Sequence, residues 1–380
     1  MKARNDKNSF SDGRKVNNQQ DPNQEDYLSK LHEATAQLLC ADDPTLLRDA
    51  AVSLYKLFST ITNIDADSLF TEDACDTLLA DGLALSPKGA AFCLLEYIRT
   101  TKFLRGLRAA IMEAQRRFPL EMPVHVLYAG CGPFASLAIP LTTQFSAREV
   151  QFTLLDIHQR SLDAARQIIK TLGLADFIRD YVQADAASYK HDSRMPMHLV
   201  VTETMQRALS SEPHLAVTAN LAPQLCVGGL LVPEEVCVEA CLALPEKFYE
   251  NIPPWEEIAD MIWGAPDSYK DRIKLGQLIL LTAQNAHAWQ RSNFSPDEED
   301  EFCKPLARLS LPLVLDERLT LMLQTSVTVW RDIVLEPYQS TITYPVMLDD
   351  LKPFDRDAQV EFRYCLGANP RIRYLKVSAP

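Results

Sequence analysis

The chain has 380 residues, 47% hydrophobic and 23% charged, an ordinary globular composition that is long enough for two or three packed units. No apolar run approaches the about 18 residues that a membrane-spanning helix needs, so no membrane partner is expected. A formal net charge of -13 repels phosphate backbones and speaks against nucleic acid, whereas a cationic substrate suits it.

Residues 1–25 are rich in Asn, Gln, Asp and Lys and lack the apolar core of a secretory signal, so a disordered leader is expected. The nine cysteines contain no Cys-x-x-Cys pair, which predicts reduced, mostly buried thiols, a cytoplasmic location and no structural metal. Over 26–120 apolar residues recur three and four apart, as in Leu94, Tyr97, Ile98 and Leu104, and predict an all-helical lead-in with a helix start at Ser86-Pro87.

From 121 to 233 the pattern alternates. A strand at Val124–Tyr128 runs into Gly130-Cys131-Gly132, and a helix is expected over Phe134–Phe145. A second strand, Gln151–Leu155, ends on Asp156 and is followed by a helix over Ser161–Leu172. A third strand around Tyr181-Val182 stops before Asp185, and a fourth covers His198–Thr202. Such alternation predicts an α/β fold, a Rossmann-like parallel sheet whose ligand lies beyond the carboxyl ends of its strands. Gly130, Asp156, Asp185 and Glu203 all fall at or just past those ends.

After Gly228–Pro233 the texture becomes alternating, in Glu235–Leu242, Leu319–Val329 and Val360–Cys365, and predicts a β-rich, barrel-like domain over 234–380. Cys237 and Cys241, four apart, belong to its first strand. An insertion over about 245–293 is expected to be helical and carries Trp255, Trp263 and Trp289, whose need for burial suggests a homodimer.

The Gly-x-Gly loop between strand and helix lets backbone approach a ligand closely. Phe134 stands where a dinucleotide fingerprint has its third glycine, so a phosphate-free nucleoside fits better than a pyrophosphate. Asp156 is placed to accept from a ribose diol and Asp185 lies near an adenine amino group, although each also reads as a turn or helix cap. The strings Val126–Gly132, Leu154-Leu155-Asp156 and Gln183-Ala184-Asp185 resemble the first three motifs of the class I S-adenosylmethionine-dependent methyltransferases. That resemblance implies S-adenosyl-L-methionine as cofactor, bound along Tyr128, Gly130, Gly132, Asp156, Asp185, Ala186 and Glu203. Tyr128 departs from the family, which often has an acidic residue there.

Past the fourth strand, Glu203 and Glu212 sit nine positions apart across a loop that brings them together if it doubles back. Two buried carboxylates raise one another's pKa and are stable with a cation or a shared proton between them, and a planar guanidinium matches such a pair. This spacing and the Glu203-Thr204-Met205 start resemble the paired-glutamate loop of the protein arginine methyltransferases, which implies that both glutamates are catalytic. Leu221-Ala222-Pro223 with Gly229–Pro233 is similar to that family's crossing into its β-barrel, and Ile98–Phe103 to the helix whose arginine, here Arg99, holds the cofactor's carboxylate. The family's Thr-His-Trp loop finds only Thr328-Val329-Trp330 or Thr343-Tyr344-Pro345, neither with the histidine. The resemblance therefore implies methylation of an arginine-type guanidinium, with free arginine or an arginine-derived metabolite favoured over protein arginine.

Other readings stand beside this one. The glutamates also read as solvated loop charges, one neutralised by Arg207, and Arg99 as an exposed residue pairing with Glu96. His125 and His198 read as structural core histidines, and His158 or His214 as residues lining the site. A methyltransferase for another small acceptor, or a scaffold without catalysis, shares the same fold.

Overall fold

The structure is a computed structural model and describes residues 23–65, 74–119, 121–245, 255–261, 263–297, 301–312, 318–348 and 359–377. The expected leader lies outside them except for its last three residues, where helix α1 (Gln24–Cys40) already begins. Helix α2 (Pro44–Thr62) follows, its start fixed by Asp43, whose side chain accepts from Thr45 N, and by Pro44 in the first turn.

The lead-in is not helical throughout. A hairpin of β1 (Thr77–Leu79) and β2 (Gly82–Ala84) interrupts it. Its two-residue loop is Ala80-Asp81, with Gly82 pairing Leu79. Helix α3 (Pro87–Phe92) then starts as expected, with Ser86 Oγ accepting from Gly89 N, and α4 (Tyr97–Arg117) carries Arg99 in its first turn.

Five strands form one parallel sheet: β3 (Val124–Ala129), β4 (Val150–Asp156), β5 (Ile178–Gln183), β6 (Leu199–Thr202) and β7 (Leu230–Val232), ordered β5-β4-β3-β6-β7. Every pairing is parallel, which bears out the α/β, Rossmann-like fold. Order reverses between β3–β4 and β3–β6, and ligand crevices open at that switch point. Helix α5 (Gln159–Leu172) crosses from β4 to β5 and ends on Gly173 in the left-handed region, φ 71. The helix expected over Phe134–Phe145 is replaced by turns and a 3-10 segment, Pro140–Thr143. Ala135 has φ 40, and Pro140 removes a backbone donor, so a regular helix cannot run through.

One face of the sheet packs Val126, Tyr128, Phe152 and Leu154 against α1, α2, α4 and α5. The opposite face packs Leu127, Leu155, Val200 and Leu231 against Val217 and Leu221 of α6 (His214–Leu221). Each leucine or valine so buried is worth about 1.5–3 kcal/mol.

At the cis Val232–Pro233 bond the chain passes to antiparallel structure. Strands β8 (Glu235–Ala243), β9 (Ile273–Thr282), β10 (Ser295–Pro296), β11 (Phe302–Ser310), β12 (Thr320–Trp330), β13 (Ile333–Leu335), β14 (Val346–Met347), β15 (Gln359–Cys365) and β16 (Arg371–Val377) follow. The described strands hydrogen-bond as two sheets, β13-β12-β8-β9 with β14 on β12, and β10-β11-β15-β16, rather than as one closed barrel.

Two expectations fail here. The described part of 245–293 holds short 3-10 turns and the ten-residue strand β9, not a helical arm. Trp289 is 8% exposed, packed edge-on to Tyr364 with Lys304 Nζ over its ring, and Trp263 is half-buried against Tyr344. Trp289 is thus buried within the chain and Trp263 partly so, which weakens their part in the argument for a homodimer; the Trp255 side chain lies outside the described residues. The cysteines are also not all reduced: Cys303 and Cys365 face each other in the β11–β15 register and form a disulfide. No helix among the described residues is long and apolar enough to cross a membrane.

Candidate active site

A cavity enclosing about 800 Å³, its open mouth included, lies at the carboxyl ends of β3, β4, β5 and β6, where ligand crevices of parallel sheets form. Arg99, Tyr128, Gly130, Gly132, Asp156, Asp185, Ala186, Glu203 and Glu212 all line it. The sequence had marked every one of these positions, and the fold gathers them from α4, four strand ends and the loop after β6.

The glycine loop folds over the end of the neighbouring strand, Gly130 N and Cys131 N both donating to Leu155 O at 2.9 and 3.2 Å. Gly130 and Gly132 have φ 70 and 63, the left-handed region open to glycine, and a Cβ on Gly130 would lie 2.4 Å from Thr204 Cγ2. Asp156 is buried and serves two local donors, Gly132 N to Oδ2 and His158 N to Oδ1, each at 2.9 Å. It therefore fixes the glycine loop while presenting its remaining lone pairs to the cavity. Asp185 likewise accepts from Ala187 N at 2.8 Å. Both aspartates thus serve as local turn acceptors, and both line the cavity.

Arg99 is not an exposed surface residue; it is 5% exposed. Its Nη1 donates to Glu96 Oε1 at 2.8 Å and its Nε to Glu203 Oε1. Glu96 is fully buried and also accepts from Ser340 Oγ at 2.6 Å, Thr341 N at 2.8 Å and Thr341 Oγ1 at 2.8 Å. These hydroxyls, from a segment with no motif, tie the arginine to the carboxyl-terminal region. The Glu96-x-x-Arg99 spacing was legible; Ser340 and Thr341 were not.

The loop carrying Glu203 and Glu212 is strained. Ala208, Leu209 and Ser211 have φ 55, 54 and 63, conformations that cost non-glycine residues of order 1 kcal/mol or more each. Contacts from elsewhere hold it: Ala208 N donates to Thr325 Oγ1 at 2.8 Å, Tyr364 Oη to Leu209 O at 2.7 Å, and Ser211 N to Pro370 O at 2.8 Å. Both antiparallel sheets thus grip the glutamate loop. Among the described residues Arg207 forms no ion pair with either glutamate, so the neutralised-surface reading fails.

Burial raises the carboxyl pKa of Glu203, opposed by Arg99. Burial also raises that of Glu212, to about 7, with Arg99 and Gln206 pulling it down and Glu203 and Asp76 pushing it up. Against burial, Glu203, Cys93 and Glu96 lift Arg99 well above its ordinary value, so it stays cationic. Cys93, on the cavity wall, is pushed by burial up to about 12 and remains a thiol, and burial keeps Tyr128 a neutral phenol. The buried carboxyls of Glu96 and Glu212 and the largely buried one of Glu203 thus lie around one buried cation, Arg99. The arrangement has room, electrostatically, for a second cation.

His158 lines the cavity, its Nε2 3.0 Å from Thr77 Oγ1. His214 is buried in α6 and does not line it. His125 and His198 are buried core residues, His125 Nδ1 meeting Pro196 O at 3.1 Å and Nε2 Thr153 Oγ1 at 2.8 Å, and His198 Nδ1 accepting from His125 N at 2.9 Å.

No family model matches the chain, and no curated protein matches it. Among solved structures it is similar to the PRMT1 enzyme–prozyme heterotetrameric complex of Trypanosoma brucei, solved with AdoHcy. The match has 13% identity and a TM-score of 0.45, covering 75% of this chain and 96% of that one. The chemistry of the cavity is accordingly read from this chain's own residues.

Proposed function

We propose that the protein is an S-adenosylmethionine-dependent N-methyltransferase acting on a guanidinium nitrogen of arginine type. The observation that carries this reading is the excess of carboxyls over cations around Arg99, where Glu203 and Glu212 line the cavity and Glu96 lies behind them, with Glu212 titrating at about 7. A guanidinium supplies the missing charge and donates in-plane pairs of hydrogen bonds to two carboxylates.

When bound, the cofactor supplies an electrophilic methyl carbon on a sulfonium sulfur. Asp156 is suited to accept from its ribose hydroxyls, Asp185 lies toward its base, and the glycine loop allows close approach of the nucleoside. Arg99 uses Nε and Nη1 on protein carboxylates and keeps Nη2 for a ligand carboxylate. Glu203 and Glu212 orient the acceptor nitrogen for in-line attack and polarise it. As the new carbon–nitrogen bond forms and the carbon–sulfur bond breaks, the acceptor nitrogen sheds a proton to one of these carboxylates, directly or through water. Free arginine or a derivative of it suits the cavity better than an arginine within a polypeptide, because the chain has no Thr-His-Trp segment.

Glu203→Gln tests the assignment. It keeps size while removing one charge, and is expected to lower turnover on a guanidino acceptor by about 10²-fold or more, with cofactor affinity changing far less although Glu203 also holds Arg99. Near-normal methylation by a variant that still binds cofactor would refute the guanidinium cradle. Activity on phenols but not guanidines would point to another acceptor, and absence of binding of the demethylated cofactor by calorimetry to a scaffold.

A further inference from the structure

The β1–β2 hairpin stands between the two halves of the cavity and is anchored on both. On the nucleoside side, Thr77 Oγ1 meets His158 Nε2 at 3.0 Å. On the acceptor side, Leu83 N donates to Ser211 O at 2.7 Å, next to Glu212. The tip lies so close to the glutamate loop that a Cβ on Gly82 would fall 2.7 Å from Pro213 N, 2.8 Å from Glu212 C and 2.9 Å from Ser211 O. All three are backbone atoms that cannot step aside, and Gly82 has φ 144, so this contact requires glycine. Asp81 adds an ion pair to Arg291 at 3.2 Å, and the hairpin base is closed by Ser86 N donating to Asp76 Oδ1 at 2.7 Å.

Between these anchors Leu79, Leu83, Ala84 and Leu85 line the cavity that Glu212 also lines, with Leu83 joined to Ser211, the residue before Glu212. Their side chains offer no hydrogen-bond partner, and the Leu83 N–H is already committed to Ser211 O. An alkyl stem can lie against such a wall at no polar cost. A polypeptide also carries backbone on both sides of its arginine, and N–H and C=O groups brought against apolar side chains lose water without replacement, at about 1–3 kcal/mol each, whereas free arginine ends at its own α-carbon and can leave its charged groups at the open mouth.

We propose that the hairpin is the acceptor-specificity element of this protein: it walls the glutamate end of the cavity with leucines so that small guanidines with an apolar stem enter and arginine embedded in a polypeptide does not. The inference rests on the guanidinium reading above.

The test uses the full chain, radiolabelled S-adenosylmethionine and three acceptors: free arginine, a simple alkylguanidine and an arginine- and glycine-rich peptide. Calorimetry with the demethylated cofactor monitors the integrity of the nucleoside half. The wild-type protein is expected to methylate small guanidines and to leave the peptide at least about 10-fold behind in kcat/KM, the ratio set by about one poorly solvated polar group. The paired substitution Leu79→Ala with Leu83→Ala is expected to raise KM for small guanidines about 10-fold, with kcat changed far less, and to narrow the peptide disadvantage. Gly82→Ala, which pushes the tip off the glutamate loop by a different route, is expected to narrow it as well. If the wild-type protein methylates peptide as well as small guanidines, or if both variants leave KM and the acceptor ratio unchanged, the hairpin proposal is overturned while the guanidinium reading stands. If the wild-type protein binds cofactor yet methylates neither class of guanidine, both fall together.

Discussion

Glu212→Gln probes the electrostatics of the cavity without any ligand, through the stability of the fold. In the unfolded chain this carboxyl ionises near 4.5; in the folded chain burial is the largest influence holding it neutral up to about 7. Across that window the folded state binds more protons than the unfolded state, so stability falls as pH rises, by about 1.4 kcal/mol per pH unit. The residue is 6% exposed, and the accumulated cost by about pH 8 is roughly 3 kcal/mol. Gln keeps the volume and a hydrogen-bonding side chain but never ionises. Urea denaturation at a series of pH values is therefore expected to show the variant and the wild-type protein similar near about pH 4.5 and the variant more stable by about 3 kcal/mol near about pH 8. Activity should move the other way. The wild-type kcat/KM for a guanidinium acceptor should climb with pH as Glu212 ionises and level off above about 7, and the variant should lose turnover together with that limb. A variant no more stable than wild type at the alkaline end would show that Glu212 is not a desolvated carboxyl, and the cation-seeking pocket would lose its foundation.

Asp156→Ala removes both a cavity-facing carboxylate and the acceptor that fixes Gly132 N, so cofactor affinity should drop by about 1.5–3 kcal/mol in calorimetry, and unchanged affinity in a folded variant would exclude the ribose role. His125, chiefly through burial, titrates at about 4 instead of 6.5, so below about pH 6.5 the unfolded chain takes up a proton that the folded chain refuses. Stability should fall from this residue by roughly 3 kcal/mol between those values, and His125→Gln should flatten the acid limb of the denaturation curve relative to wild type. An identical acid slope in the two proteins would mean that the imidazole is hydrated in the fold.

Periodicity, turn residues and strand-end position are local properties, and they sufficed for much of this protein. The apolar strands β3, β4 and β6, the helix ending on Gly173, and the alternating β8, β12 and β15 all lie close to where the residue pattern puts them. The carboxyl ends of parallel strands share one edge of the sheet, so marking Gly130, Asp156, Asp185 and Glu203 at strand ends already marked one cavity. What depended on partners distant in sequence was not legible. Ile273–Thr282 has leucines at both helical and strand spacings, and only pairing with β8 makes it a strand. Cys303 and Cys365 are 62 positions apart and meet because the β11–β15 register sets them opposite. Ser340 and Thr341 carry no motif, yet they satisfy the buried Glu96 that holds Arg99. The hairpin 77–84 falls in a stretch that the residue pattern assigns to helix, and its seat against the glutamate loop exists only once both elements are folded. The charge state of Glu212 is likewise a tertiary property: the residue is identical in any sequence context, and burial beside Arg99, Glu203 and Asp76 decides when it ionises.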